Sequence, residues 1–214
     1  MADESWPDPR GHATLLVGLR MAQIDREKRT RMKIAVISSP VRGETDRLIS
    51  EAAANLIAKG KKLLGAVKVL TNIEAANHDC NMDLRILPTG RMVRITQSLV
   101  AGSTSCRLHP GAIADAVAEV ETTGAAGFDL FVLNKFGPQE AEGHGFCATI
   151  AEALSQDVPV LVGVGKACRS AFDDFAGGLA ETLPAELPAI LDWCENALAE
   201  TEKTGKLAAK VAHT

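Results

Sequence analysis

The sequence predicts an α/β domain, a mostly parallel sheet flanked by helices with an inserted β-hairpin, and three observations carry that prediction. From Lys33 onward, short apolar runs alternate with stretches of helical periodicity, the order of βαβ units. Two of the runs, 128–134 and 158–164, are apolar almost throughout, as strands buried on both faces require. Two further strand-like runs, 82–87 and 92–97, flank Pro88-Thr89-Gly90-Arg91, which has the proline and glycine of a hairpin turn.

Taken in order, the first predicted strand is 33–38, with the core Ile34-Ala35-Val36-Ile37. A helix is predicted over 45–59, because Leu48, Ile49, Ala52, Ala53 and Leu56 recur at helical spacing and Gly60 supplies a stop. Residues 63–71 read as a second strand, and the hairpin follows. Small residues make a loop over 101–105, after which Pro110, suited to a first helical turn, opens a helix that ends at 123. The strand 128–134 leads through a Gly-rich loop into a helix over 145–156. The strand 158–164, a short helix over 170–175 and an amphipathic helix over 187–200 complete the order.

At 214 residues the chain is long enough for one domain with a sizeable core and short for two. The domain is placed at 32–203. Residues 1–31 read as a disordered or mis-started extension, since Met32 stands directly before the first buried strand; a helix over 14–27 docking on a partner is the other reading. Residues 204–214 read as a flexible tail. A content of 46% hydrophobic and 23% charged residues excludes a disordered chain. The net charge of −4 provides no general attraction to nucleic acid or to an anionic membrane, so any anion site has to be local. Aromatics amount to 4% with no tyrosine, which argues against stacking platforms for single strands. Five cysteines, an odd number without a CxxC and without a signal-peptide pattern, point to a reducing compartment. The apolar stretches are strand-length and fall short of the roughly 20 residues of a membrane helix, so a cytoplasmic protein is expected.

Chemistry is expected first at the turn after the first strand. A P-loop places Gly-x-x-x-x-Gly-Lys-[Ser/Thr] between strand and helix, so that backbone amides wrap phosphates, lysine neutralises them and the hydroxyl binds magnesium. The same place here reads Ser38-Ser39-Pro40-Val41-Arg42-Gly43-Glu44-Thr45. Gly43 and Thr45 fit, while Ser38 replaces the first glycine and Glu44 the lysine. The fold is therefore read as P-loop-NTPase-like with a degenerate Walker A loop. An anion at Glu44 disfavours ordinary triphosphate binding, and Arg42, folded inward, restores positive charge. The plain alternative is an ordinary turn with Gly43 for its geometry and Thr45 or Ser39 as cap.

A second signal lies at the end of the strand 128–134. Where a Walker B strand ends in an Asp, often followed by Glu, to hold magnesium and position water, this chain has Asn134-Lys135-Phe136-Gly137. Glu44 and Lys135 together look like an exchange of charge: either they pair and close the site, or Lys135 becomes the anion contact. If their strands are adjacent, a ligand binds at their carboxyl ends; a surface lysine at a strand end is the plain alternative. In the polar loop that follows, Glu140, Glu142 and His144 are candidates for a general base or metal ligands, against a solvated loop with ordinary capping. His78, Cys80, Cys106 and His109 flank the hairpin with soft-metal ligand types, although their spacing matches no standard zinc motif. Cys147, Cys168 and Cys194 fall on predicted helices and read as packing residues.

Several of these segments form a set: His78-Asp79-Cys80-Asn81-Met82-Asp83-Leu84, Ile95-Thr96-Gln97, Cys106-Arg107-Leu108, Val132-Leu133-Asn134-Lys135-Phe136-Gly137, Glu140-Ala141-Glu142-Gly143 and Phe175-Ala176-Gly177-Gly178. The set resembles a bacterial family of unknown function whose members often carry the description molybdenum ABC transporter ATP-binding protein. The order of elements also resembles the cancer-related nucleoside-triphosphatase family. The first resemblance implies a link to a molybdenum transport or cofactor pathway and carries over to Cys80, Asp83, Cys106, Arg107, Asn134, Lys135, Glu140 and Glu142. The second implies triphosphate hydrolysis through a lysine and acids that this chain replaces.

The resulting expectation is a binding or regulatory protein that holds a small anionic ligand, molybdate or a nucleotide. Arg42, Arg107 and Lys135 supply charge, with Gly43 and Thr45 as donors and Glu44 and Asn134 beside them. A divergent nucleoside triphosphatase using Glu140 or Glu142 is the second reading, and a thiol metal-binding module the third.

Overall fold

The computed structural model describes residues 33–70, 82–98 and 106–211. The extension 1–31 and the candidates His78 and Cys80 lie outside the described residues.

Apolar runs become strands where predicted, with shifted ends. β1 (Ile34–Ile37), β2 (Leu63–Lys68), β7 (Leu130–Phe136) and β8 (Val160–Val164) are buried almost throughout. The hairpin forms as β3 (Asp83–Leu87) and β4 (Met92–Arg94), joined through Pro88 and Gly90. The run expected to continue to 97 breaks at Ile95; beyond it β5 (Thr96–Ser98) turns away and pairs with β6 (Cys106–Leu108) in a separate two-stranded ladder. A further short strand, β9 (Ala180–Thr182), was not legible in the periodicity. The helices are α1 (Glu44–Ala58), α2 (Pro110–Thr123), α3 (Pro138–Ala141), α4 (Cys147–Ser155), α5 (Arg169–Ala176) and α6 (Leu187–Val211). The single helix expected over 145–156 is thus preceded by the short α3, and α6 runs beyond the predicted end at 200.

The strands form a seven-stranded sheet in the order β4-β3-β2-β7-β8-β1-β9. From β2 to β9 every pairing is parallel, and the hairpin adds two antiparallel strands at the β2 edge. Side chains alternate between two apolar layers because strand residues point to opposite faces. Ala35, Ile37, Leu63, Val132 and Leu161 meet α1 and α6 on one face. Val36, Leu64, Phe131, Leu133 and Val162 meet α2, α4 and α5 on the other.

Of the three cysteines expected on helices, Cys147 and Cys194 are buried in this packing, and Cys168 is half-buried against it. Burial pushes the Cys194 thiol up to about 12, with Glu195 adding to the shift. Burial likewise pushes Cys147 to about 11, with Glu140 adding to it. Both thiols therefore stay protonated in the folded protein at a pH where the unfolded chain releases its protons, near the ordinary value of 9.0. The unfolded state then binds fewer protons, so their contribution to stability is complete below about pH 9 and is lost as pH rises through 11 to 12. Iodoacetamide labelling at pH 8, mapped by mass spectrometry, is expected to leave both unmodified until the protein unfolds.

Candidate functional site

β1 brings the chain to the carboxyl edge of the sheet, and residues 38–43 return it into α1. Gly43 caps α1 at φ 81° and ψ −14°, a left-handed conformation that favours glycine. The Ser39 amide donates to Thr45 Oγ1 at 2.9 Å and the Val41 amide to Ser39 Oγ at 3.2 Å. These bonds fold the loop against the first turn, where the leading amides of the helix form the positive end of its dipole. Thr45 is buried and Arg42 exposed.

Glu44 is engaged on the outer face of α1. Arg47 donates to both of its oxygens, Nε at 2.9 Å and Nη2 at 2.7 Å, and reaches Glu51 through Nη1 at 2.6 Å. The hydrogen bonds from Arg47 hold the Glu44 carboxyl below the usual carboxylate range. The suggested Glu44–Lys135 pair does not form, because Arg47, one turn away on the same helix, takes both oxygens of Glu44. Nor are their strands adjacent: β8 lies between β1 and β7.

Lys135 turns instead towards Asp46. Its Nζ lies 3.7 Å from Asp46 Oδ1, while Lys68, from the end of β2, donates to Asp46 Oδ2 at 2.8 Å. Asn134 is buried, and its Nδ2 donates to the Asp46 carbonyl at 3.0 Å and to Ser50 Oγ at 3.4 Å. The Ser50 hydroxyl donates onward to the Lys68 carbonyl at 2.8 Å. One network thus joins the ends of β2 and β7 to the first two turns of α1. Asp46 and Lys68 were missed in the sequence. The available signal was an acid at position 46, on the stripe that carries Ile49, Ala53 and Leu56 into the core.

The loop after β7 closes on Glu140. This buried carboxylate accepts from the Gly137 amide at 2.8 Å and from the Phe146 amide at 3.1 Å, so each oxygen is committed to the backbone. Glu142 and His144 are exposed. His109 caps α2, its Nδ1 accepting from the Ala112 amide at 2.9 Å. Cys106 and Arg107 sit on β6, opposite Ser98 and Gln97. Among the described residues no group of three metal-ligating side chains converges.

Between these groups lies a pocket of about 150 Å³. Asp46, Lys68, Asn134, Lys135 and Glu140 border it, and its wall is otherwise apolar, with Leu84 and Ile95 from the hairpin region, Ile113 from α2, and Leu133 and Phe146. The structure therefore brings Asn134, Lys135 and Glu140 to one pocket and places Gly43 and Thr45 at the neighbouring turn.

The family model described as protein of unknown function (DUF2478) matches residues 34–193. The molybdenum import ATP-binding protein ModC 2 of Bradyrhizobium diazoefficiens is 32% identical over 182 residues, covering 84% of this chain and 19% of that protein. The chain thus spans about a fifth of the length of this curated relative. No solved structure matches the present chain. Among the described residues no helix is long and apolar enough to cross a membrane.

Proposed function

The chain belongs to the DUF2478 family, and on that premise we propose that it is a ligand-binding or regulatory protein that holds a nucleotide phosphate or a molybdate-like oxyanion. The site is the crevice between the β1–α1 turn and Lys135. One observation carries this reading. From β1 the chain crosses through α1 to β2, and from β8 through α5 to β9, on opposite faces of the sheet. The carboxyl ends of β1 and β8 therefore bound a topological switch point, where open α/β sheets bind ligands.

One ammonium, that of Lys135, stands at that crevice, 3.7 Å from the Asp46 carboxylate. A Cβ built on Gly163 of β8 would lie 3.0 Å from Thr45 Cγ2 and 3.6 Å from Lys135 Cβ. One built on Gly165 would lie 3.9 Å from Lys135 Nζ. The ammonium thus stands over the end of β8, facing the start of α1, whose leading amides and dipole favour an anion. Because Arg47 answers the charge of Glu44, the like-charge penalty expected from a degenerate Walker A loop is reduced. Asn134 and Lys135 put an amide and a cation where magnesium-holding acids stand in hydrolytic P-loop proteins, which favours binding over hydrolysis. The link to molybdenum metabolism rests on the description of the ModC 2 relative.

Thermal unfolding in the presence of molybdate, tungstate, ATP and GTP tests the proposal. At a hundredfold excess over Kd a ligand stabilises by about 2.7 kcal/mol, a rise in Tm of roughly 5–10 °C for a chain of this size. Lys135→Ala is expected to weaken the responding ligand about tenfold, a loss of about 1.4 kcal/mol. No stabilisation by any of the four sinks the reading. Magnesium-dependent phosphate release, lost in Glu142→Gln, favours the divergent triphosphatase implied by the likeness to the cancer-related family. Metal retained by protein purified without chelator favours the thiol module.

A further inference from the structure

The network around Asp46 leaves two acceptors open. Asp46 Oδ1 and Asn134 Oδ1 have no hydrogen-bond partner among the described residues, although Asp46 is only 6% and Asn134 only 4% exposed. Lys135 Nζ, at 3.7 Å from Asp46 Oδ1, is beyond hydrogen-bond reach. Bonding of the Asn134 Nδ2 to a backbone carbonyl fixes the orientation of its amide, so the open end is an oxygen. A buried acceptor without a partner costs about 1–3 kcal/mol. Two on neighbouring residues, joined by the bond from Asn134 Nδ2 to the Asp46 backbone carbonyl, mark a place where a donor belongs.

Both residues line the same pocket, and the chemistry around them narrows what fits. Its volume is about 150 Å³, and an apolar cavity of about that size accepts one benzene-sized ring. Met82, Leu84, Ile95, Ile113, Leu133 and Phe146 provide the apolar wall. At the polar end, the ammonium groups of Lys68 and Lys135 stand beside the open oxygens. Two ammonium groups disfavour a metal cation, and two open acceptor oxygens disfavour a bare anion. A flat ring whose edge carries an N–H donor next to an acceptor satisfies the whole set.

We propose that this pocket binds a nucleobase-like ligand, a planar six-membered nitrogen heterocycle inserted edge first. Its N–H donors meet Asp46 Oδ1 and Asn134 Oδ1, its ring or carbonyl acceptors meet the lysines, and its faces pack against the apolar wall. This goes beyond the anion site, because the ring needs no phosphate to be held. Lys135 and Asp46 border both places.

Calorimetric titration of the full chain with adenosine, guanosine, cytidine and uridine, none of which carries phosphate, tests the inference. At least one is expected to bind. If it is adenosine, purine riboside, which lacks the amino group, is expected to bind at least tenfold more weakly; for another nucleoside, the analogue without its edge donor plays that part. Ile113→Trp fills the pocket from a partly exposed position on α2, and is expected to weaken the nucleoside more than tenfold while leaving the molybdate or tungstate response unchanged. No nucleoside binding at millimolar concentration overturns the inference. So does binding that is indifferent to the edge donor or to Ile113→Trp. An oxyanion response without nucleoside binding sinks this inference alone, and nucleoside binding without an oxyanion response sinks only the anion reading.

Discussion

Alanine at Gly65 is expected to lower stability by more than about 4 kcal/mol, because the added atom has nowhere to go. Gly65 sits inside β2 at φ +124°, and a Cβ there would stand 2.1 Å from the Val132 carbonyl oxygen and 3.0 Å from its carbon. The obstruction is the backbone of the paired strand, which cannot rotate aside. Relief requires β2 to move off β7 and so to break the parallel register from Leu63 opposite Leu130 to Ala66 opposite Leu133. The loss corresponds to a fall in Tm of about 10 °C or more. Gly60→Ala is the control: its φ of +78° is also left-handed, yet a Cβ would meet nothing within 4 Å. That change is expected to cost only about 1–2 kcal/mol of backbone strain. Urea unfolding of the two variants separates collision from strain, and equal midpoints would contradict the account.

Much of this architecture was legible because local signals agreed. The stripe Leu48, Ile49, Ala52, Ala53 and Leu56 faces the core as its spacing demanded, and all five residues are buried. Pro110 opens α2 at its first residue, and the hairpin turns at Pro88 and Gly90. Strand order was not legible, because it is set by which helix covers which face. The sequence contains no local mark that β8 comes between β1 and β7. The end of β7 was read two residues early for a related reason. Lys135 looks like the start of a loop, but the strand continues to Phe136, which is buried against Phe172.

The candidate site was legible in its residues and less so in its partners. Asn134 and Lys135 stood out by type. Their partner Asp46 did not, because an acid in the first turn of a helix is ordinary dipole compensation. Its role follows only from tertiary placement, where Lys68 and Lys135 arrive from two other strands. For Glu44, a pair with Lys135 was one of two alternatives, and Arg47 stood nearer, at the i+3 position where such pairs form within a helix. Local pairing removes a side chain from a site as effectively as distance does.

Glu140 tests the difference between a reacting group and a tie. Glu140→Ala is expected to destabilise the protein by about 3–5 kcal/mol, since it leaves two backbone amides without their carboxylate, and hydrogen bonds to a charged group contribute about 1.5–3 kcal/mol each. Glu140→Gln keeps the shape but turns an NH2 against one of the two amides, so an intermediate loss is expected. Gly145→Ala should approach the larger loss with Glu140 intact. At φ +56° its Cβ would stand 2.0 Å from Glu140 Oε1, forcing the carboxylate off the Phe146 amide. Glu142→Gln, on an exposed side chain of the same loop, should leave Tm unchanged. Thermal melts of the four variants carry the decision. A Glu140→Gln variant with wild-type Tm that nevertheless loses a measurable phosphate release would make Glu140 a reacting group. A loss of stability shared by Glu140→Ala and Gly145→Ala makes it the clasp that holds the loop over the pocket. In the second case mutation of Glu140 weakens any ligand of that pocket indirectly, by releasing Gly137 and Phe146 from its rim.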